Sequence, residues 1–170
     1  MEPGDAEIVV TWRNQPRIRN VLESGPDEEL TVEKHLEWFT STRNDRIDYI
    51  VALKDSKRPI GVWSYKNSEL ASLPRSLEQG RYIGDEDALG KGFAKEASKC
   101  WTFFGFDVLR LEAIVSVHRV ENKPPQALNL ALGFRYDNRL PAKDLVTMII
   151  DVSQFVSNER TFWGDIDVVS

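Results

Sequence analysis

Gly90-Lys91-Gly92 is followed at once by an apolar-periodic run, Phe93, Ala97, Trp101 and Phe104, that predicts a helix. Glycines let main-chain N–H groups approach a bulky anion closely, and the helix aims its positive dipole end at the same point, so the unit reads as a phosphate cradle. Gly-x-Gly alone is a weak signal, and a plain turn has the same form. The third glycine of a dinucleotide fingerprint is missing. No Lys-Ser or Lys-Thr follows the second glycine, which removes the nucleotide-hydrolysing P-loop.

Other chemistries find little footing. The two histidines and the single cysteine form no metal-ligand spacing, and no Gly-x-Ser-x-Gly elbow supports a serine hydrolase. No metal is expected. Cys100 has no internal bridging partner and reads as a small buried hydrophobe, while His35 reads as a helix-surface residue. With 27 acidic residues against 22 basic and a net charge of −5, the chain lacks the positive field that nucleic acid or an anionic membrane requires. The start Met1-Glu2-Pro3-Gly4-Asp5 lacks the order of a signal peptide, and no stretch approaches the roughly 18 apolar residues of a membrane span. A cytoplasmic protein is expected.

The 170 residues fit one domain, 1–170, with a core that needs no disulfide or metal. Glu7 to Thr11 reads as a short β-prone start, and Asn14 as the cap of a helix running past Pro16 to about Leu22. Thr31 caps a second helix with Val32, Leu36 and Phe39 on one face. Asp48 to Leu53 and Pro59 to Tyr65 predict an antiparallel pair around the turn Asp55 to Pro59, and Gln79 to Gly84 a third strand. After the loop and its helix, ended by Gly105, come a strand at Leu109 to His118 and a helix at Pro124 to Leu132, closed by Gly133. Strands at Phe134 to Asp137 and Leu145 to Val152 finish the core. Strand, helix, strand in that order imply a parallel crossover in an otherwise antiparallel twisted sheet flanked by helices, a mixed α+β fold.

In this setting the pyrophosphate of CoA is the best guest for the loop. Gly80-Arg-Tyr-Ile-Gly84, Leu89-Gly-Lys-Gly-Phe-Ala94, Glu121-Asn122 and Leu132-Gly-Phe134 occur in the order and spacing of the GNAT superfamily, which residues 5 to 152 resemble. The resemblance implies the acyl-CoA N-acyltransferase fold and acetyl-CoA as cosubstrate. It implies main-chain bonds from Tyr82, Ile83 and Gly84 to pantetheine, pyrophosphate on Leu89, Gly90, Lys91, Gly92, Phe93 and Ala94, and Asn122 beside the pantetheine arm. It also implies direct attack by an amine, with N–H groups stabilising the oxyanion. His118 is the candidate base, with Glu121 or Asp85 acting through water as alternatives. Two positions depart from the pattern. Asp87 stands where relatives carry Gln or Arg, and Asn129 where many place the tyrosine that protonates the thiolate; Tyr136 or water is the substitute acid.

The acceptor is a small-molecule amine. Trp12, Arg13, Arg17 and Trp38 resemble the acceptor side of nucleotide-amino-sugar N-acetyltransferases, where arginines pair with a diphosphate and a tryptophan stacks on base or sugar. A solvated basic helix face is the plain alternative. The run Gly-Lys-Gly-Phe-Ala-Lys-Glu-Ala also resembles ribosomal-protein or peptide Nα-acetyltransferases, and a non-catalytic acyl-CoA sensor or scaffold is the reading outside the enzyme class. A homodimer is a candidate assembly; Thr161 to Asp165 is a segment either to cover an edge or to touch a second subunit.

Overall fold

The computed structural model describes residues 1–21, 28–68, 71, 73–142 and 144–155, with the side chains of 139–142 left aside. The segment 161–165 lies outside the described residues. Helices α1 (Ala6–Asn14), α2 (Pro16–Arg19) and α3 (Val32–Thr42) lead into β1 (Arg46–Ala52), β2 (Pro59–Lys66) and β3 (Ser76–Ile83). Then come α4 (Phe93–Phe103), β4 (Ala113–Arg119), α5 (Lys123–Ala131), β5 (Arg135–Ala142) and β6 (Leu145–Asp151). The six strands make one sheet in the order β1-β2-β3-β4-β6-β5. Only β3 and β4 run parallel, joined through α4; the other pairs are antiparallel. The mixed α+β architecture read from the order of elements is the one observed. Among the described residues no helix is long and apolar enough to cross a membrane.

Alternation along the strands separates two faces. Trp63, Tyr65, Ile83, Ile114, Met148 and Ile150 bury against α4 and α5 in the main core. There Tyr65 stacks on Trp101 at 4.7 Å and donates its hydroxyl to the Trp101 carbonyl at 2.8 Å. Val62 on the opposite face meets Val9, Trp12 and Ile18 of the first two helices. The cap at Thr31 is as expected, its hydroxyl accepting from the Lys34 amide.

Several boundaries differ from the sequence reading. Glu7 to Thr11 lies inside α1, because burial of Val9, Val10 and Trp12 outweighs the local strand preference of an Ile-Val-Val-Thr run. Gln15, not Asn14, precedes α2; Asn14 instead bonds both the N–H and the C=O of Leu30 at 2.8 Å, tying α1 to the entry of α3. The helix ends at Arg19, and Leu22 lies outside the described residues. Gly105 does not end its helix but sits in a π-helical turn, Phe104–Val108, with no room for a side chain: a Cβ there would stand 2.5 Å from the Tyr65 hydroxyl. That turn delays β4 to Ala113. Cys100 is exposed, at the groove between β1 and α4, not buried.

Candidate active site

The β3–β4 ladder runs from Ser76 opposite Ala113 to Gln79 opposite Ser116 and stops. Beyond it Gly80–Ile83 remain paired to β2, and Val117–Arg119 to β6, so the two inner edges face each other unpaired. Antiparallel alternation decides what the open edge of β3 offers. Gly84 N–H bonds the Ile60 carbonyl at 2.8 Å; Tyr82 and Gly80, in phase with it, turn their main chains to β2, and Arg81 and Ile83 turn theirs to the gap. Arg17 occupies the carbonyls of Ile83 (2.9 Å) and Gly84 (2.6 Å). What remains for a strand-like ligand is Arg81 N–H and C=O and Ile83 N–H, a different set from the Tyr82, Ile83 and Gly84 read from the sequence.

Past the end of β3 the chain makes a short 3-10 turn, Glu86–Ala88, and enters the glycine loop. Gly90 and Gly92 have φ of +71° and +85°, which L side chains rarely adopt, and a Cβ at either would project into open space. The amides of Gly90, Lys91, Gly92, Phe93 and Ala94 donate to no loop or cap carbonyl among the described residues, and the last two open α4. This is the geometry an anion needs. Asp87 is partly offset by Arg58 at 3.4 Å.

Under the gap, on the α5 side, lies a polar network. Arg81 sends one Nη2 bond to the Asn129 amide oxygen and a longer one, 3.5 Å, to the Pro125 carbonyl. A guanidinium only donates, so it fixes the flip of Asn129 and turns Nδ2 toward His118 Nε2, 2.9 Å away. Ser116 Oγ stands at the same distance from that nitrogen. Burial, with the nearby charge of Arg81, lowers the His118 pKa to about 4, so the neutral ring accepts at Nε2 and carries its proton on Nδ1. Burial likewise lowers Arg81 to about 10, and its Nη1 has no partner among the described residues.

A cavity of about 460 Å³ passes through the gap to the α1–α3 face. Its walls there include Arg13, His35, Trp38, Arg46, Asp48, Glu78, Tyr82 and Arg119. Asp48 is bonded by Arg46, and Glu78 is paired through Oε1 with Lys66 at 2.9 Å. Arg13 Nε, Arg119 Nε, His35 Nδ1 and Tyr82 Oη are buried without a partner among the described residues. Desolvation lowers the pKa values of Arg13 and His35 and raises that of Tyr82.

The sequence reading thus divides. Arg13, Trp38, Tyr82, His118 and Asn122 line one cavity, and the glycine loop lies beyond the end of the same strand. Trp12 does not line it: the indole is 5% exposed and packed over Gly84, where a Cβ would lie 2.0 Å from the ring. Arg17 clamps β3 and Glu86. Trp38 stacks with His35 at 5.3 Å and lies under the guanidinium of Arg46 at 4.4 Å, so its faces are already used. His35 is 2% exposed, because the Trp38 stack draws it inward, and is not a surface residue. Asp85 caps the 3-10 turn and pairs with Arg58 at 3.2 Å, while Glu121 is exposed; neither lines the cavity. Tyr136 is turned to Gln126, 3.3 Å away, outside the cavity lining. Phe93 contributes its amide to the loop, but its ring faces an apolar groove between β1 and α4. Glu78, Arg81 and Arg119 were missed. Starting β3 at Gln79 left Glu78 outside the strand, although the acidic-apolar alternation from Ser76 carried the signal.

Residues 1–135 match the family described as Acetyltransferase (GNAT) domain. No curated protein matches the chain. Similar solved structures include spermidine N-acetyltransferase from Vibrio cholerae in complex with CoA and spermine, 23% identical with a TM-score of 0.79, over 92% of this chain and 95% of that one. Another is FdhC, a nucleotide-linked sugar GNAT, 20% identical with a TM-score of 0.77, over 95% of this chain and 89% of that one. A domain from Methanocaldococcus jannaschii DSM 2661 is 19% identical with a TM-score of 0.76, over 89% and 95%. With its split parallel pair, its anion-ready loop and a family match over most of its length, the chain belongs to the GNAT acetyltransferases, whose cosubstrate is acetyl-CoA.

Proposed function

We propose that this protein transfers acetyl from acetyl-CoA to the primary amine of a molecule that also carries negative charge, a nucleotide-linked amino sugar. One observation carries the choice of acceptor. Among the described residues, Arg13 and Arg119 present buried, unpartnered N–H groups at the cavity, and the two carboxylates in its wall each have another cation beside them. A buried donor left unbonded costs about 1–3 kcal/mol, more when charged, so an acceptor bearing phosphate or carboxylate recovers energy that a neutral amine does not. A polyamine, the ligand named for the Vibrio cholerae structure, meets unopposed arginines among the described residues of this cavity. A peptide N-terminus likewise finds there, among the described residues, no carboxylate without a cation already beside it.

The residues then divide the work. Amides of the glycine loop and the opening turn of α4 hold pyrophosphate; Arg81 and Ile83 main-chain groups hold the pantetheine arm. The Ile83 or Arg81 N–H supplies the hydrogen bond that stabilises the oxyanion. Glu78 lines the cavity one residue from the point where the strands rejoin, and its Lys66 contact uses Oε1, leaving Oε2 to take the ammonium proton through water. His118 is not that base, because its lone pair is held by Asn129.

CoA release measured with UDP- and dTDP-amino sugars, spermine and N-terminal peptides tests the acceptor. Turnover confined to the nucleotide sugars is the expected result. Preference for spermine or a peptide overturns the acceptor, and binding of acetyl-CoA with no acceptor consumed marks a sensor.

A further inference from the structure

Arg81 is a cation without an anion. Its guanidinium lies under the gap between β3 and β4, bonded through one arm to the neutral acceptors Asn129 and Pro125, and no carboxylate pairs with it among the described residues. The other arm, Nη1, is buried and, among the described residues, unbonded. Taking a charge out of water without a counter-ion is costly, and its lowered pKa reports that cost. The groups around it supply no negative charge: His118 is neutral, Ser116 and Asn129 are uncharged, and the Tyr65 phenol stays protonated because burial raises its pKa. The network therefore fits an anion that arrives from outside.

Where that anion forms follows from the shape of the gap. An arm held at the glycine loop and extended along the open edge of β3 runs from Ile83 past Arg81 and is stopped where the strands rejoin, at Gln79 and Ser116. Its thiol end is thereby brought beside Arg81.

We propose that Arg81 holds the thiolate that leaves when acetyl is transferred, with Asn129 as the residue that positions it. The proposal rests on the acetyl-CoA reading above. Amine nitrogen bonds to the thioester carbonyl carbon, the C–S bond breaks with its electron pair going to sulfur, and the ammonium proton leaves through Glu78 and water. Sulfur departs as thiolate against Nη1 and takes a proton from solvent after release. No dedicated acid is needed, which accounts for an asparagine at 129.

The test titrates the CoA thiol on the protein by its ultraviolet thiolate absorbance, with desulfo-CoA as the blank, and needs no acceptor. With wild-type protein the bound thiol should ionise about tenfold more readily than in free CoA, a shift of about one pH unit. Arg81→Met should return it to the free value, and Arg81→Lys should keep part of the shift. In turnover, Arg81→Met should lower kcat about 100-fold with the acceptor KM unchanged. A wild-type thiol that titrates as in free CoA overturns the role of Arg81 while the acetyltransferase assignment stands; no CoA binding at all removes both. An unchanged shift in Arg81→Met that melts and binds CoA like wild type also overturns it. If Arg81→Met does not fold, the wild-type and Arg81→Lys titrations decide.

Discussion

Asn129 donates its amide N–H to His118 Nε2 at 2.9 Å, and this contact supports the reading proposed above for both residues. It withdraws the lone pair a general base needs, and it shows why a fully buried asparagine occupies the position. Asn129 joins a guanidinium on β3 to an imidazole on β4 where no ladder joins the strands.

Replacing Asn129 with Leu keeps the volume but leaves Arg81 and His118 facing an apolar side chain. Two buried polar groups each lose one of their partners, so chemical denaturation should show a loss of about 2–4 kcal/mol. A change under about 0.5 kcal/mol would mean that the network carries no stability.

His118 has a folded pKa of about 4 against an ordinary value near 6.5. Between these the unfolded chain binds the proton more readily, so stability rises with pH across this window and is lost as pH falls through it, by about 3 kcal/mol. His35 is lowered in the same sense. His118→Gln puts an amide oxygen near the place of Nε2 and does not titrate. Melting curves from pH 7 to 4 should flatten for this variant, and a pH dependence equal to that of wild type would contradict the account.

Gly92→Asn separates conformation from access. Asparagine tolerates a left-handed φ better than other residues, so the melting temperature should fall little, while its side chain projects into the phosphate approach. CoA affinity should drop at least about tenfold by calorimetry. Equal affinity would remove the loop from the cosubstrate site.

Arg17→Met distinguishes clamp from substrate contact. Freed carbonyls at Ile83 and Gly84 should loosen the end of β3, lowering stability by about 1–2 kcal/mol and weakening CoA binding. The acceptor KM should stay near that of wild type. A selective rise in that KM would return Arg17 to the acceptor side.

Legibility in the sequence followed the range of the interactions involved. Glycines at positive φ, the Thr31 cap and the strand-helix-strand order are local signals, and they gave the loop, α3 and the parallel crossover directly. Trp12, Arg17 and Asp85 carry suitable chemistry at suitable positions, but their directions are set by Gly84, by the β3 carbonyls and by Arg58, which lie far away in the chain. Arg81 was invisible for the opposite reason. Within a strand motif it is one residue between Gly80 and Tyr82, and only the ending of the β3–β4 ladder and the closeness of α5 reveal what its charge faces.

The most direct test is calorimetric titration of the folded protein with CoA and with acetyl-CoA. The glycine-loop amides and the free edge of β3 predict saturable binding of both ligands at one site, abolished or strongly weakened by Gly92→Asn and untouched by Arg13→Met. No heat of binding at millimolar ligand, from protein shown to be folded, would contradict the account at its root.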